Sequence, residues 1–185
     1  MDKKHVMFNE DEERQEEVIE GVLFVDPGLG GTGYAFFEWI NTAAKPSKVE
    51  KPSLSGVIKA PRNEAWDNRV WSYCVRFSGI LGSLSVKEVV IEFPELFSGS
   101  AMSQASAGKG DLFKLTYLIG GLADRAREYT GRLPILMIPR DWKGQLPKDV
   151  VIKRIGKTYG DDYMNQINDH EADAIGMGLS AQGRL

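Results

Sequence analysis

The feature that most restricts the fold is the run Gly-Val-Leu-Phe-Val-Asp at residues 21–26, apolar throughout until it closes on an acid. It shows no alternation of apolar and polar residues, so as a strand it has no face for water. Such a run predicts a strand covered on both sides. Gly28 to Gly33 follows with four glycines in six residues, a turn. A β-rich run, Thr32 to Trp39, comes next. Together these predict a hairpin of two long strands, with helices above and below it.

The rest of the chain can supply that cover. Ala43 to Ser55, with Pro46 and Pro52, reads as a loop, and Val57 to Ala60 as a third strand. Asn63 to Leu84 carries Trp66, Val70, Tyr73, Phe77, Ile80 and Leu84 at helical spacing. Val89 to Phe93 reads as a strand and Ser98 to Gly110, rich in small residues, as a loop. Asp111 to Thr130 predicts a helix with Leu112, Leu115, Leu118, Ile119, Leu122 and Ala126 on one face. A strand at Leu133 to Ile138 and helices at Lys148 to Thr158 and Asp169 to Ala181 complete the order. A meander followed by alternating helices and strands predicts an α/β protein with a mixed five-stranded sheet and helices on both faces. This is the element order of RNase H-like domains.

With 185 residues the chain suits one domain, read as 21–185, behind an acidic tail at 1–20. That tail has the composition of a flexible segment. It holds eight of the 26 acids but only Lys3, Lys4 and Arg14 among the bases. The other 18 acids face 20 bases, so the net charge of −3 masks a mildly basic body. Between Pro139 and Gly160 stand Arg140, Lys143, Lys148, Lys153, Arg154 and Lys157, against only Asp141 and Asp149. No apolar run approaches the ~18 residues of a membrane-spanning helix. The first 20 residues lack the apolar core of a signal peptide, and the single Cys74 excludes an internal disulfide and a Cys-based zinc site. A cytoplasmic protein is expected.

Four residues can carry chemistry. Asp26 ends the first strand, followed by glycines that let other groups approach closely; Asp-Pro-Gly is also good turn chemistry, so this acid alone identifies no site. Glu92, in Val-Val-Ile-Glu-Phe-Pro-Glu, has apolar neighbours, and a buried carboxylate needs a partner, a metal or a shifted pKa. His170 and Asp173 are spaced i, i+3, on one face of the last helix. Asp169 is the expected N-cap of that helix, and Glu171 points elsewhere. Acids from two strands and a His/Asp pair on a helix can converge into a site for two divalent cations, suited to in-line phosphoryl transfer.

The blocks DPGLGGTGYA, VVIEFPE and HEADAIGMGL resemble, in order and separation, the three catalytic blocks of RuvC-like Holliday junction resolvases. They span nearly all the chain after the tail. The resemblance implies an RNase H-like fold and an endonuclease that uses Mg²⁺, with Mn²⁺ as a substitute and two ions per site. Its metal ligands fall on Asp26, Glu92, His170 and Asp173. It also implies a homodimer that resolves a four-way junction by paired symmetric nicks, leaving 5′-phosphate and 3′-hydroxyl ends. Arg140, Lys143, Lys148 and Lys153 are the expected DNA contacts, and the helix bearing Trp66, Trp71, Phe77 and Leu81 is a candidate dimer surface. Two departures point to a divergent, phage-type branch. Glu95 stands where cellular resolvases carry a junction-wedging Phe, and the basic segment from Pro139 is shorter between its lysines. Three other classes compete: another RNase H-like flap or terminase-type nuclease, an actin- or sugar-kinase-like ATP-binding domain, and a catalytically inert junction-binding module.

Overall fold

The computed structural model describes residues 20–38, 51–95 and 110–185. The chain runs β1 (Gly21–Asp26), β2 (Thr32–Glu38), β3 (Leu54–Ile58), α1 (Trp66–Ser83), β4 (Val86–Glu92), α2 (Asp111–Thr130) and β5 (Ile135–Met137). It ends with α3 (Pro139–Lys143), α4 (Lys148–Tyr159), α5 (Asp161–Met164) and α6 (Asp169–Ala181). The strands form one sheet in the order β3-β2-β1-β4-β5. β1 and β2 are the expected antiparallel hairpin, with Asp26 opposite Gly33. β3 lies antiparallel to β2, whereas β4 runs parallel to β1 and β5 parallel to β4.

All six residues of β1 are buried, because this strand is central in the sheet and covered on both faces. Its odd positions, Leu23 and Val25, join Phe36, Ile58, Val89 and Ile91 in a core closed by α1 and α2. Its even positions, Val22 and Phe24, join Ala35, Phe37 and Val90 in a second core closed by Trp142, α4 and α6. The period-two geometry of a strand produces this division. In α6, nine consecutive residues from Glu171 to Leu179 are buried. Small residues let that helix sit close to the sheet: a Cβ on Gly178 would meet the Phe37 ring at 2.1 Å. Ile175, Met177 and Leu179 are fully buried on it, each stabilising the packing by about 1.5–3 kcal/mol.

Several boundaries differ from expectation. β3 and β4 each begin three residues earlier than periodicity suggests, and β5 keeps only Ile135–Met137. The short helices α3 and α5 were not foreseen. On α1, Phe77 and Leu81 are core residues, while Trp66 and Trp71 remain exposed, so only the tryptophans are available to a partner. The acidic segment 1–19, Trp39 and the loop at 98–109 lie outside the described residues. Among the described residues, no helix is long and apolar enough to cross a membrane.

Candidate active site

Parallel strands β1 and β4 end at the same edge of the sheet, and each ends on an acid, Asp26 and Glu92. Asp26 follows the parity of Val22 and Phe24, and Glu92 that of Val90. Both carboxyls therefore emerge on the face that α6 covers. Asp26 is buried and Glu92 partly so.

The N-terminus of α6 is set by Asn168. Its Oδ1 accepts from the backbone N–H groups of His170 and Glu171, each at 3.1 Å. Asn168, not the expected Asp169, is thus the N-cap; both residue types cap well, and Asn168 is the one with an extended backbone. The cap places His170 in the first turn, where its Nδ1 and Asp26 Oδ2 share a hydrogen bond of 2.7 Å. The glycine turn makes room for that ring. A Cβ on Gly28 would lie 2.7 Å from His170 Cε1, and one on Gly33 only 2.1 Å from the His170 carbonyl oxygen. Helix α1 braces the same turn, since Arg69 and Tyr73 both donate to the Leu29 carbonyl, Tyr73 at 3.2 Å. Glu171 turns away from the site, as expected, and accepts from Ser55 Oγ at 2.7 Å.

Asp173, buried one turn along α6, accepts from Lys148 Nζ at 3.0 Å. Lys148 Nζ also stands 3.6 Å from Asp169 Oδ2. Lys148, expected as a phosphate contact, is therefore paired inside the acidic site. Glu92 Oε2 accepts from the indole Nε1 of Trp142 at 2.8 Å. Trp142 was missed in the sequence. Its one signal was a tryptophan inside a basic stretch, and a buried indole N–H needs an acceptor. Of the other expected DNA contacts, Lys143 Nζ lies 4.6 Å from the centre of the Trp142 ring. Arg140 pairs with Glu95, and Lys153 pairs with Asp149 on the exposed side of α4 at 3.6 Å.

The electrostatics join these pairs into one site. Burial raises the Asp26 carboxyl above its ordinary range; the His170 bond works against this and the charge of Asp173 adds to it. Burial, then the charge of Asp26, push Glu92 up to about 7, although Lys143 and the Trp142 bond oppose them. The bond to Asp26 raises His170 against the effect of its own burial. At Lys148 burial disfavours the charge, but the bond to Asp173 and the charges of Asp173, Asp169 and Asp26 outweigh it and raise the pKa.

Three mutually repelling carboxyls and an imidazole form a hard, oxygen-rich donor set that suits divalent cations. Burial first, and the neighbouring acids second, raise the Asp26 and Glu92 carboxyls, so charge on them is costly without a cation. As the side chains lie, Asp26 is engaged by His170 and Asp173 by Lys148. Among the described residues, no three His, Cys, Asp or Glu side chains stand in a metal-holding group. Taking up a cation would require these two pairs to open. The donor set fits; its present rotamers are those of a site neutralised from within, by Lys148.

Solved structures that resemble the chain include "T. thermophilus RuvC in complex with Holliday junction substrate" and "Thermus thermophilus RuvC structure". Each superposes with a TM-score of 0.64, at 19% and 20% identity, over 86% of this chain and 91% and 92% of theirs. No protein-family model matches the chain, and no curated protein matches its sequence. The chain thus has a RuvC-like fold of the RNase H-like class, the mixed sheet expected from its element order.

Proposed function

We propose that the protein is a divalent-metal-dependent endonuclease acting on branched DNA, with the four-way (Holliday) junction as its substrate. The observation that carries this reading is the gathering of Asp26, Glu92 and Asp173 at one sheet edge, with Glu92 pushed up to about 7 by burial and by Asp26. Acids brought together at such a cost point to a cationic ligand. The likeness to a protein solved with a Holliday junction substrate supports the choice of DNA.

Asp26, Glu92, His170 and Asp173 are the residues that would hold the cations, Mg²⁺ or in its place Mn²⁺, two per site. The chemistry such ions would supply there is activation of water and stabilisation of the leaving oxygen in an in-line displacement. The chain's own residues do the rest. The glycine turn seats His170, the Asn168 cap fixes its position on the helix, and Lys148 holds the Asp173 carboxylate in place before the cations arrive. Lys143, whose charge acts on Glu92, would contact a phosphate, with Arg140 and Lys153 as further contacts. Paired nicks that leave 5′-phosphate and 3′-hydroxyl ends require two such sites related by a two-fold axis, hence a homodimer. A cytoplasmic setting accords with this role.

The reading is tested with a mobile four-way junction, a flap and a nicked duplex, each incubated with the protein and Mg²⁺ and mapped at nucleotide resolution. Paired symmetric nicks confined to the junction are expected. Cleavage of flaps in preference to junctions would instead favour another RNase H-like nuclease.

A further inference from the structure

Trp142 is 4% exposed, and its ring is held on several sides. Gly176 of α6 leaves the space it fills: a Cβ there would stand 2.6 Å from Trp142 Cζ3. Val151 and Ile155 of α4 belong to the same core, and Lys143 Nζ lies against the ring, 4.6 Å from its centre. A ring so confined aims its N–H in one direction, at Glu92 Oε2, 2.8 Å away.

The chemistry of this contact is specific. An indole N–H only donates, so it cannot accept a cation or compete with Glu92 for one. It engages one carboxylate oxygen, Oε2; among the described residues the other makes no hydrogen bond. The need is mutual, because a buried N–H without an acceptor is costly.

We propose that Trp142 is a positioning residue, fixing the Glu92 carboxylate in the orientation that a divalent cation requires. The proposal rests on the metal-dependent reading above. It differs from a simple core plug in one respect: the N–H, not the ring, is what the site uses.

The test is a Mg²⁺ titration of the whole protein labelled with ¹⁵N-tryptophan, together with calorimetric Mg²⁺ affinities of wild type and Trp142→Phe. Phenylalanine keeps an aromatic ring in the core and removes the donor. The Trp142 indole resonance, assigned by its loss in Trp142→Phe, is expected to shift saturably with Mg²⁺ and to move in Glu92→Gln. Trp142→Phe should bind Mg²⁺ roughly 10- to 100-fold more weakly, the usual cost of removing a ligand's supporting partner. An affinity within twofold of wild type refutes the proposal. So does a titration in which other resonances respond to Mg²⁺ while the Trp142 indole stays still, a result that needs no folded variant. If the wild type shows no saturable Mg²⁺ response, the metal-dependent reading itself falls and takes this proposal with it, an outcome distinct from the other two.

Discussion

Glu92→Gln should make the cation-free protein more stable at pH 8 and leave it nearly unchanged at pH 4.5. Glu92 titrates near 7 in the folded protein against an ordinary 4.5. Between those values the folded state binds more protons than the unfolded one, so stability falls as pH rises and levels off above about 7. At about 1.4 kcal/mol per pKa unit the accumulated loss is about 3 kcal/mol. Gln keeps the carbonyl that accepts from Trp142 and carries no charge, so the variant escapes that loss. For a domain of this size the gain corresponds to roughly 6–12 °C in melting temperature. His170 adds its own slope, since its raised pKa gives stability at low pH that is lost as pH rises through its folded value. That slope is common to both proteins and largely cancels in the difference. Urea unfolding of both proteins at pH 4.5, 6 and 8 in EDTA measures the gap directly, and added Mg²⁺ should close it by stabilising only the wild type strongly. Parallel stability curves across this range would refute the reasoning, because Glu92 would then be an ordinary solvated acid.

Asp26→Asn should abolish cleavage, leave junction binding intact and raise the melting temperature of the cation-free protein, checked by nicking, gel-shift and melting assays. His170→Asp should retain metal-dependent cleavage, because either side chain is a good ligand; a folded but inactive variant would instead make His170 a proton-transfer group. Lys143→Ala should lower the salt slope of DNA binding by about one, as expected for one lost phosphate contact. An unchanged slope would remove Lys143 from the DNA face.

Much of this site was legible in the sequence because its residues punctuate regular elements. Asp26 closes an uninterrupted apolar run, which marks it as a strand-end acid, although only the packing of that run shows which face it takes. His170 and Asp173 are related by helical periodicity, and the glycines around residue 30 announced a close approach that proved to be the His170 ring and backbone. What escaped were contacts between groups far apart in the chain. Trp142 meets Glu92 across 50 residues of sequence, and nothing local to Pro139–Lys143 marks the indole as buried. Lys148 reads as a phosphate contact by resemblance, and no local signal shows that the fold also brings it to Asp173, 25 residues along the chain. Asn168 and Asp169 are equally good caps in sequence, and only the backbone at the helix start separates them. On α1, Phe77 and Leu81 were grouped with Trp66 and Trp71 as one candidate surface, but packing in the core shared with α2 buried the first pair and left the second in solvent.

The most direct measurement of the central claim is nick mapping on a mobile four-way junction, with wild type and Asp26→Asn compared in Mg²⁺ and in EDTA. The account predicts paired nicks at symmetric positions on two opposing strands, made only by the wild type and only with Mg²⁺. Symmetric nicking that persists in EDTA, or at wild-type rate in folded Asp26→Asn, would contradict it.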